Sequence, residues 1–511
     1  MVFNYKKLLF LLILITTIIK LTIAGVIELS NDEVYYWTYA LKLDWNYFDH
    51  PPMVGWLIRL TTVNLLWVNE IFMRLGAIIG CAVTSIVIFN IGKLIDGEKT
   101  GWYAAIIYNT SIYTSIITGL LILPDAPQML FWVYALYIMC QLVIQTKTNP
   151  NKLLLLGLII GLAILCKIHA LYLWVGFGIF VLLTRKQWLR YWQLYAAIGI
   201  TIICIIPIIY WNMHYDFITY RFHSERVAHT TIQWGMFGRE IIGEIAYQNP
   251  IIFILVISAL VYFLKKKIYF ASKDIFIWII CMSIPMILLF WGISVFNPTL
   301  PHWTGPAYIP LFFLVAKRLG IKTNKIYPVT LKIATGVLGI ALLVSILLIK
   351  LAPFNLGSKT NNNFGEGCPT LDLSGWKDFS YTFNQLVKED RLAGKIKSNT
   401  YIIINNWFPG GHLEFYTSRI SGLPVIGIGA LNNLHQFAWL NQQRKTLQLG
   451  DDAYSIVPSN LPLNPIEVYG KYFELIQYSI DIPQIRNGKI VRIFKVYRLK
   501  NCIEIPLTKA F

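Results

Sequence analysis

The feature that most constrains this chain is a succession of apolar runs, most of them near the ~20 residues needed to cross a bilayer. They fall near 8–28, 71–92, 101–121, 127–146, 152–166, 169–184, 193–213, 250–264, 274–295, 303–316 and 327–350. The pattern predicts an α-helical polytopic membrane protein with about 11 or more transmembrane helices. Composition agrees: 56% of the 511 residues are hydrophobic and 14% charged. A soluble domain carries about a quarter charged residues, so most of this surface must meet something other than water.

The net charge of +18 sits in short basic clusters between the runs. No compact basic stripe with interleaved aromatics occurs, which excludes nucleic acid as a partner. Lys6/Lys7, Lys93/Lys99, Lys147/Lys152, Arg185/Lys186/Arg190, Lys265/Lys266/Lys267/Lys273 and Lys317/Arg318/Lys322/Lys325 fall on one side, whereas loops 122–126 and 296–302 carry no Lys or Arg. By the positive-inside rule the N-terminus is cytoplasmic. The first run is read as an uncleaved helix, because Lys20 interrupts it and no small-x-small cleavage site follows. An odd number of crossings then puts residues 355–511 outside, after the polar linker Leu356–Asn363. Strand-like Tyr401–Ile404 and Ile490–Tyr497 among helix-like segments predict a small α/β domain there, beside a membrane region 1–354. Five cysteines lie in apolar runs; Cys368 and Cys502, in the tail, are either free or disulfide-bonded.

The outer loops hold the informative chemistry. In loop 29–70, Ser30-Asn31-Asp32-Glu33 reads as a capping box opening an aromatic, membrane-surface helix that includes Tyr36. Capping accounts for Ser30 and Glu33 but leaves Asp32 without a necessary job. A carboxylate in a first helical turn stays ionised and is suited to accept a proton from an incoming hydroxyl. Further along, Asp49-His50-Pro51-Pro52 is held rigid by its prolines. It is either a capped turn or a site where His50 meets phosphate and Asp49 binds a divalent metal. Asp125 follows Leu123-Pro124 and is either an N-cap or an acid at the outer boundary. Residues 152–184 are too long for one span and short for two, so the hairpin Cys166-Lys167-Ile168-His169 should sink below the outer surface. A lysine at that depth is costly unless paired, and a headgroup phosphate would satisfy it. Arg59, Arg221 and Arg226 are candidate anion contacts, and Tyr36, His302 and Trp303 candidate cavity residues.

Asp32-Glu33 after the first run, Tyr47-Phe48-Asp49-His50-Pro51-Pro52, Pro124-Asp125 and Gly161–Lys167 together resemble the GT-C superfamily of glycosyltransferases. The nearest likeness is to bacterial relatives of protein O-mannosyltransferases and of the aminoarabinose transferases that modify lipid A. Pro301–Tyr308 and Leu371–Trp376 are similar to stretches in bacterial members. The resemblance implies an inner-membrane enzyme with a periplasmic C-terminal domain. Its donor would be an undecaprenyl-phosphate-linked sugar and its acceptor a glycolipid, glycan or protein. It also implies Asp32 as general base, Glu33 and Asp125 as further acids of the site, and Lys167 at the carrier phosphate. The sequence departs at the Pro-Pro turn, where Asp49-His50 stands in place of the aminoarabinose transferases' Glu-Lys, so the roles of both residues stay open. A polyprenyl-lipid flippase and a glycan ligase are the alternative classes. Transporters place charges at the midplane between repeated halves, whereas these acids gather at one boundary and no repeat is evident.

Overall fold

The computed structural model describes residues 4–145, 149–225, 230–266 and 272–506. Lys147, Arg226, His229 and Lys267 lie outside them. The chain divides into two compact units, Met1–Ile23 with Asp44–Ala341 and Ala24–Leu43 with Leu342–Phe511. The segment bearing Asp32 and Glu33 therefore belongs with the C-terminal residues and not with the helices that flank it in sequence.

The first unit is helical. Among the described residues of the chain, six helices are long and apolar enough to cross a membrane: Tyr5–Val26, Glu70–Asp96, Asp125–Ile144, Trp192–His214, Lys273–Ser294 and Val329–Lys350. The pair Trp234–Tyr247 and Pro250–Lys266, bent by 101°, makes up to a seventh. The chain is a multi-pass membrane protein. The other apolar runs fold as the shorter helices Glu98–Thr110, Asn151–Ile164, Tyr172–Thr184 and Gly305–Lys322. Each has a local cause. The run after Glu98 breaks at Ser111 into a single π-helical turn, Tyr113–Ile117, and Lys167 interrupts the next two runs in extended conformation. Gly305–Lys322 contains Pro310 and ends in charged residues.

Asp125–Ile144 forms the centre of this unit, 67% buried across its apolar window against 28% for Trp192–His214. Small residues let neighbouring helices close up, as is usual where lipid supplies no hydrophobic drive. A Cβ on Gly92 would come within 2.7 Å of the Gly101 Cα, so these two glycines set the approach of Glu70–Asp96 to Glu98–Thr110.

The second unit combines the helix Asn31–Leu41 and the helix Trp376–Leu392 with a five-stranded sheet. Its strands are β1 (Thr400–Ile404), β2 (Val425–Gly427), β3 (Asp452–Pro458), β4 (Phe473–Arg486) and β5 (Lys489–Cys502), in the order β2-β1-β3-β5-β4. β1 pairs parallel with β2 and β3, while β5 runs antiparallel to β3 and β4. Asn487 and Gly488, both at positive φ, turn the β4–β5 hairpin, the chemistry a two-residue turn demands. The expected α/β domain is thus present at the C-terminus. Arg498 on β5 locks the helix onto the sheet through Asp390 (Nε–Oδ2 2.6 Å), which also accepts from the Tyr454 hydroxyl at 2.6 Å.

Cys368 and Cys502 are both free, which settles the open alternative against a disulfide. Cys368 packs with Leu371 and Val491, near the start of β5, and Cys502 ends that strand. At about 3.3 Å per residue, the strand alone separates those two positions by tens of ångströms.

Candidate active site

In the first unit the sequence candidates gather around Asp125 and Lys167. Leu123-Pro124 delivers Asp125 as the first residue of its helix, at 2% exposure. Lys167, at 8% exposure, extends between Asn151–Ile164 and a 3-10 turn at Ile168–Leu171. Its Nζ meets both carboxylate oxygens, Oδ2 at 2.8 Å and Oδ1 at 3.0 Å. The Tyr113 hydroxyl donates to Oδ1 at 3.3 Å, and Gln128 Nε2 holds the Lys167 carbonyl at 3.2 Å. Backbone pairing also ties the Pro-Pro turn here, since Met53 N–H donates to Leu165 O at 3.1 Å.

That turn orients His50. Pro51 and Pro52 are buried, and His223 Nε2 donates to the Asp49 carbonyl at 2.7 Å. His50 Nδ1 lies 3.6 Å from Asp49 Oδ2. Burial, reinforced by the Lys167 charge and resisted by Asp49, lowers the His50 imidazole to about 4. His302, on the 3-10 turn Pro301–Thr304, is likewise lowered to about 4 by burial, against the pull of Asp125. Both rings are therefore neutral at ordinary pH and able to accept or donate one hydrogen bond each without adding charge. Trp303 packs its ring on Phe290, 5.8 Å between centroids. Arg59 instead donates from Nε to Asn64 Oδ1 at 2.5 Å, within its own loop. Arg226 lies outside the described residues. For Asp49 as a metal ligand, no group of three or more His, Cys, Asp or Glu among the described residues has the arrangement a metal needs.

Two acids of this unit escaped the sequence reading. Glu240 and Glu244, at 1% and 0% exposure, lie four residues apart on Trp234–Tyr247. Glu240 Oε2 accepts from Thr299 at 2.7 Å, and Glu244 Oε2 accepts from Trp291 at 3.0 Å and Tyr308 at 2.7 Å. The signal was their i, i+4 spacing with Gln248 on a largely apolar helix, which puts all three on one face.

In the second unit Asp32 is exposed in the first turn of Asn31–Leu41. The capping box forms: Glu33 Oε2 accepts from the Ser30 N–H at 2.9 Å and from its hydroxyl at 3.1 Å, and Glu33 is fully buried. Tyr36 is buried against Tyr35 and Tyr39. Around this helix is a mount that no local pattern announced. His412 Nε2 donates to Asn31 Oδ1 at 2.9 Å, and the Tyr416 hydroxyl accepts from Leu29 N–H at 2.8 Å. Glu28 accepts from the Gly375 and Trp376 N–H groups at 3.1 and 2.9 Å, capping Trp376–Leu392. His412 stacks on Trp376 at 4.2 Å, and Arg492 covers the Trp376 and Phe494 rings at 4.4 and 4.3 Å. Burial lowers the Arg492 guanidinium to about 9, resisted by Glu28 and Asp372. It also raises Asp372 to about 6 against the charge of Arg492.

The chain joins a multi-pass helical body, with a buried acid–lysine pair, to a small sheet domain, and it has the fold of the ArnT structures. The family model described as dolichyl-phosphate-mannose-protein mannosyltransferase matches residues 49–211. ArnT from Cupriavidus metallidurans bound to undecaprenyl phosphate superposes with a TM-score of 0.64 at 14% identity, over 96% of this chain and 98% of that one. Its apo state gives 0.59 at 12% identity over the same shares. Among curated proteins, the lipid A galacturonosyltransferase RgtD of Rhizobium johnstonii is 24% identical over 315 residues, 61% of this chain. The match spans 64% of that relative's length.

Proposed function

We propose that the chain is an inverting glycosyltransferase. It moves a monosaccharide from a polyprenyl-phosphate carrier to an acceptor hydroxyl or phosphate, on the outer face of the inner membrane. The observation that carries this reading is the buried Lys167–Asp125 pair, ringed by neutral His50 and His302. A lysine held beside one carboxylate in a low-dielectric setting is ready to meet a second anion, and a carrier phosphate supplies it. Relatives that act on lipid A or bind undecaprenyl phosphate support the same chemistry.

In this mechanism the acceptor oxygen attacks the anomeric carbon from the face opposite the phosphate. When the acceptor is a hydroxyl, its proton passes to the Asp32 carboxylate. The new bond joins the acceptor oxygen to the anomeric carbon. The bond from that carbon to the carrier phosphate oxygen breaks, and its electron pair leaves with the phosphate. Lys167 stabilises that developing charge, with His50, Arg59 and Arg226 as further contacts. Asp125 orients Lys167, and Glu33 keeps Asp32 in place through the cap. In the first unit His302 and Trp303 are the cavity residues, and in the second Tyr36 belongs to the helix that carries Asp32.

Purified protein in liposomes, given a labelled polyprenyl-phosphate sugar and lipid A, tests the reading. The wild type should transfer label. Asp32→Asn should lose roughly 10²–10⁴-fold in rate, the range a positioned acid or base contributes, while inserting normally. Movement of the donor between leaflets without turnover would make the chain a flippase instead.

A further inference from the structure

Strand order in the second unit creates a second place to look. β1 leads to β2 on one side, while β3 leads to the hairpin β4–β5 on the other. The loops leaving the carboxyl ends of these adjacent parallel strands diverge, and such a switch point opens a crevice where α/β sheets bind ligands. A cleft of 360 Å³ lies there, lined by residues after β1, Asn405 and Asn406, and after β3, Asn460, together with Phe408 and Tyr469. That volume is within the range of roughly 300–1,000 Å³ typical of small-molecule sites.

The lining specifies a chemistry. It contains no Lys, Arg or His, and Glu366 is its single acid, so phosphates and other anions find no counter-charge. Its polar groups are mainly amides and hydroxyls. Asn460 and Tyr469 are 5% and 0% exposed, yet Asn460 Oδ1 and the Tyr469 hydroxyl have no partner among the described residues. A buried polar group left unpaired costs about 1–3 kcal/mol, so both are poised for a ligand's hydrogen bonds. Carboxamides pair well with vicinal hydroxyls, each of which donates and accepts, and the half-buried Phe408 ring suits the C–H face of a pyranose.

The geometry points to a binding site for a neutral saccharide ring in this cleft. The site goes beyond the transfer reaction, because it involves neither Asp32 nor Lys167. Its occupant is an uncharged sugar residue, free or as part of a larger glycan.

The test uses the full chain in an amine-oxide detergent, which carries no sugar. Binding of methyl β-galactoside and methyl β-glucoside is read by saturation-transfer NMR, with glucuronate and inorganic phosphate as charged probes. At least one neutral glycoside should bind in the millimolar range, more tightly than either anion. Tyr469→Phe and Asn460→Ala should each weaken it about tenfold, the effect of one lost hydrogen bond. Tyr469→Phe removes one oxygen that has no protein partner, so its melting temperature should not fall. No neutral glycoside binding, tighter binding of an anion, or unchanged binding in both variants would overturn the proposal. Because binding needs no turnover, a failure of the transfer reaction would leave this result unaffected.

Discussion

Two buried cations, Lys167 in the first unit and Arg492 in the second, are held in opposite ways. In the first, Lys167 and Asp125 face each other directly at 2.8 Å. In the second, the Arg492 cation is spread over ring faces and backbone carbonyls, donating to Leu371 O at 3.0 Å and Ser374 O at 2.7 Å. A direct pair can be opened by a competing anion that offers the lysine an equivalent partner. A dispersed cation has no single partner to exchange, so it suits a rigid mount. The contrast separates a device built to be interrupted from one built to hold still.

Breaking the direct pair should give the largest effect. Lys167→Ala leaves Asp125 buried without its counter-charge, which costs roughly 3–5 kcal/mol where one partner is removed. Pairing Lys167→Met with Asp125→Leu should recover most of that stability and none of the transfer activity. Melting temperature and turnover, measured on the same detergent-purified samples, decide between the two roles. If the double variant still transferred sugar, the pair would be structural only.

The mount should respond more gently. His412→Leu removes the bond to Asn31 and the polar half of the stack on Trp376 while filling similar space. A positioning role predicts about a tenfold loss in kcat with KM little changed, since each ~1.4 kcal/mol is a factor of ten. A fall in melting temperature with normal kcat would instead assign His412 to folding alone.

Acid should act on His50 and His302 with one sign and on Asp372 with the other, and have the smallest effect. His50 and His302 are lowered to about 4 from 6.5, so between those values the unfolded chain is protonated and the folded site is not. Their contribution is full above pH 6.5 and is lost as pH falls toward 4. Asp372, raised to about 6 from 3.8, behaves oppositely. There the folded state binds the extra proton, so its contribution grows as pH falls from about 6 to 3.8. His50→Gln should flatten the first dependence and Asp372→Asn the second, read as melting temperature against pH. Equal slopes in wild type and variants would cancel the assignment.

Much of the helical body was legible because apolar runs and proline turns are local signals. The sunken position of Lys167 could be read from run length alone: residues 152–184 could not make two full spans without burying their connection. Helix boundaries were less legible, since composition does not reveal that an apolar run breaks at Ser111. Glu240 and Glu244 passed unnoticed, although their four-residue spacing marked a common face. The mount around Asn31 was beyond reach. His412, Tyr416, Gly375 and Trp376 lie more than three hundred positions from the residues they hold, and such pairings leave no periodicity in either segment.

That discontinuity has a consequence for biosynthesis. Residues 24–43 leave the ribosome about three hundred residues ahead of their fold partners, from residue 342 onward. At roughly 5–20 residues per second, the aromatic helix waits tens of seconds with its buried face uncovered. A nascent chain arrested before residue 342 should therefore keep this helix open to proteases or chaperones, and removing the tail would unseat the N-terminal segment as well.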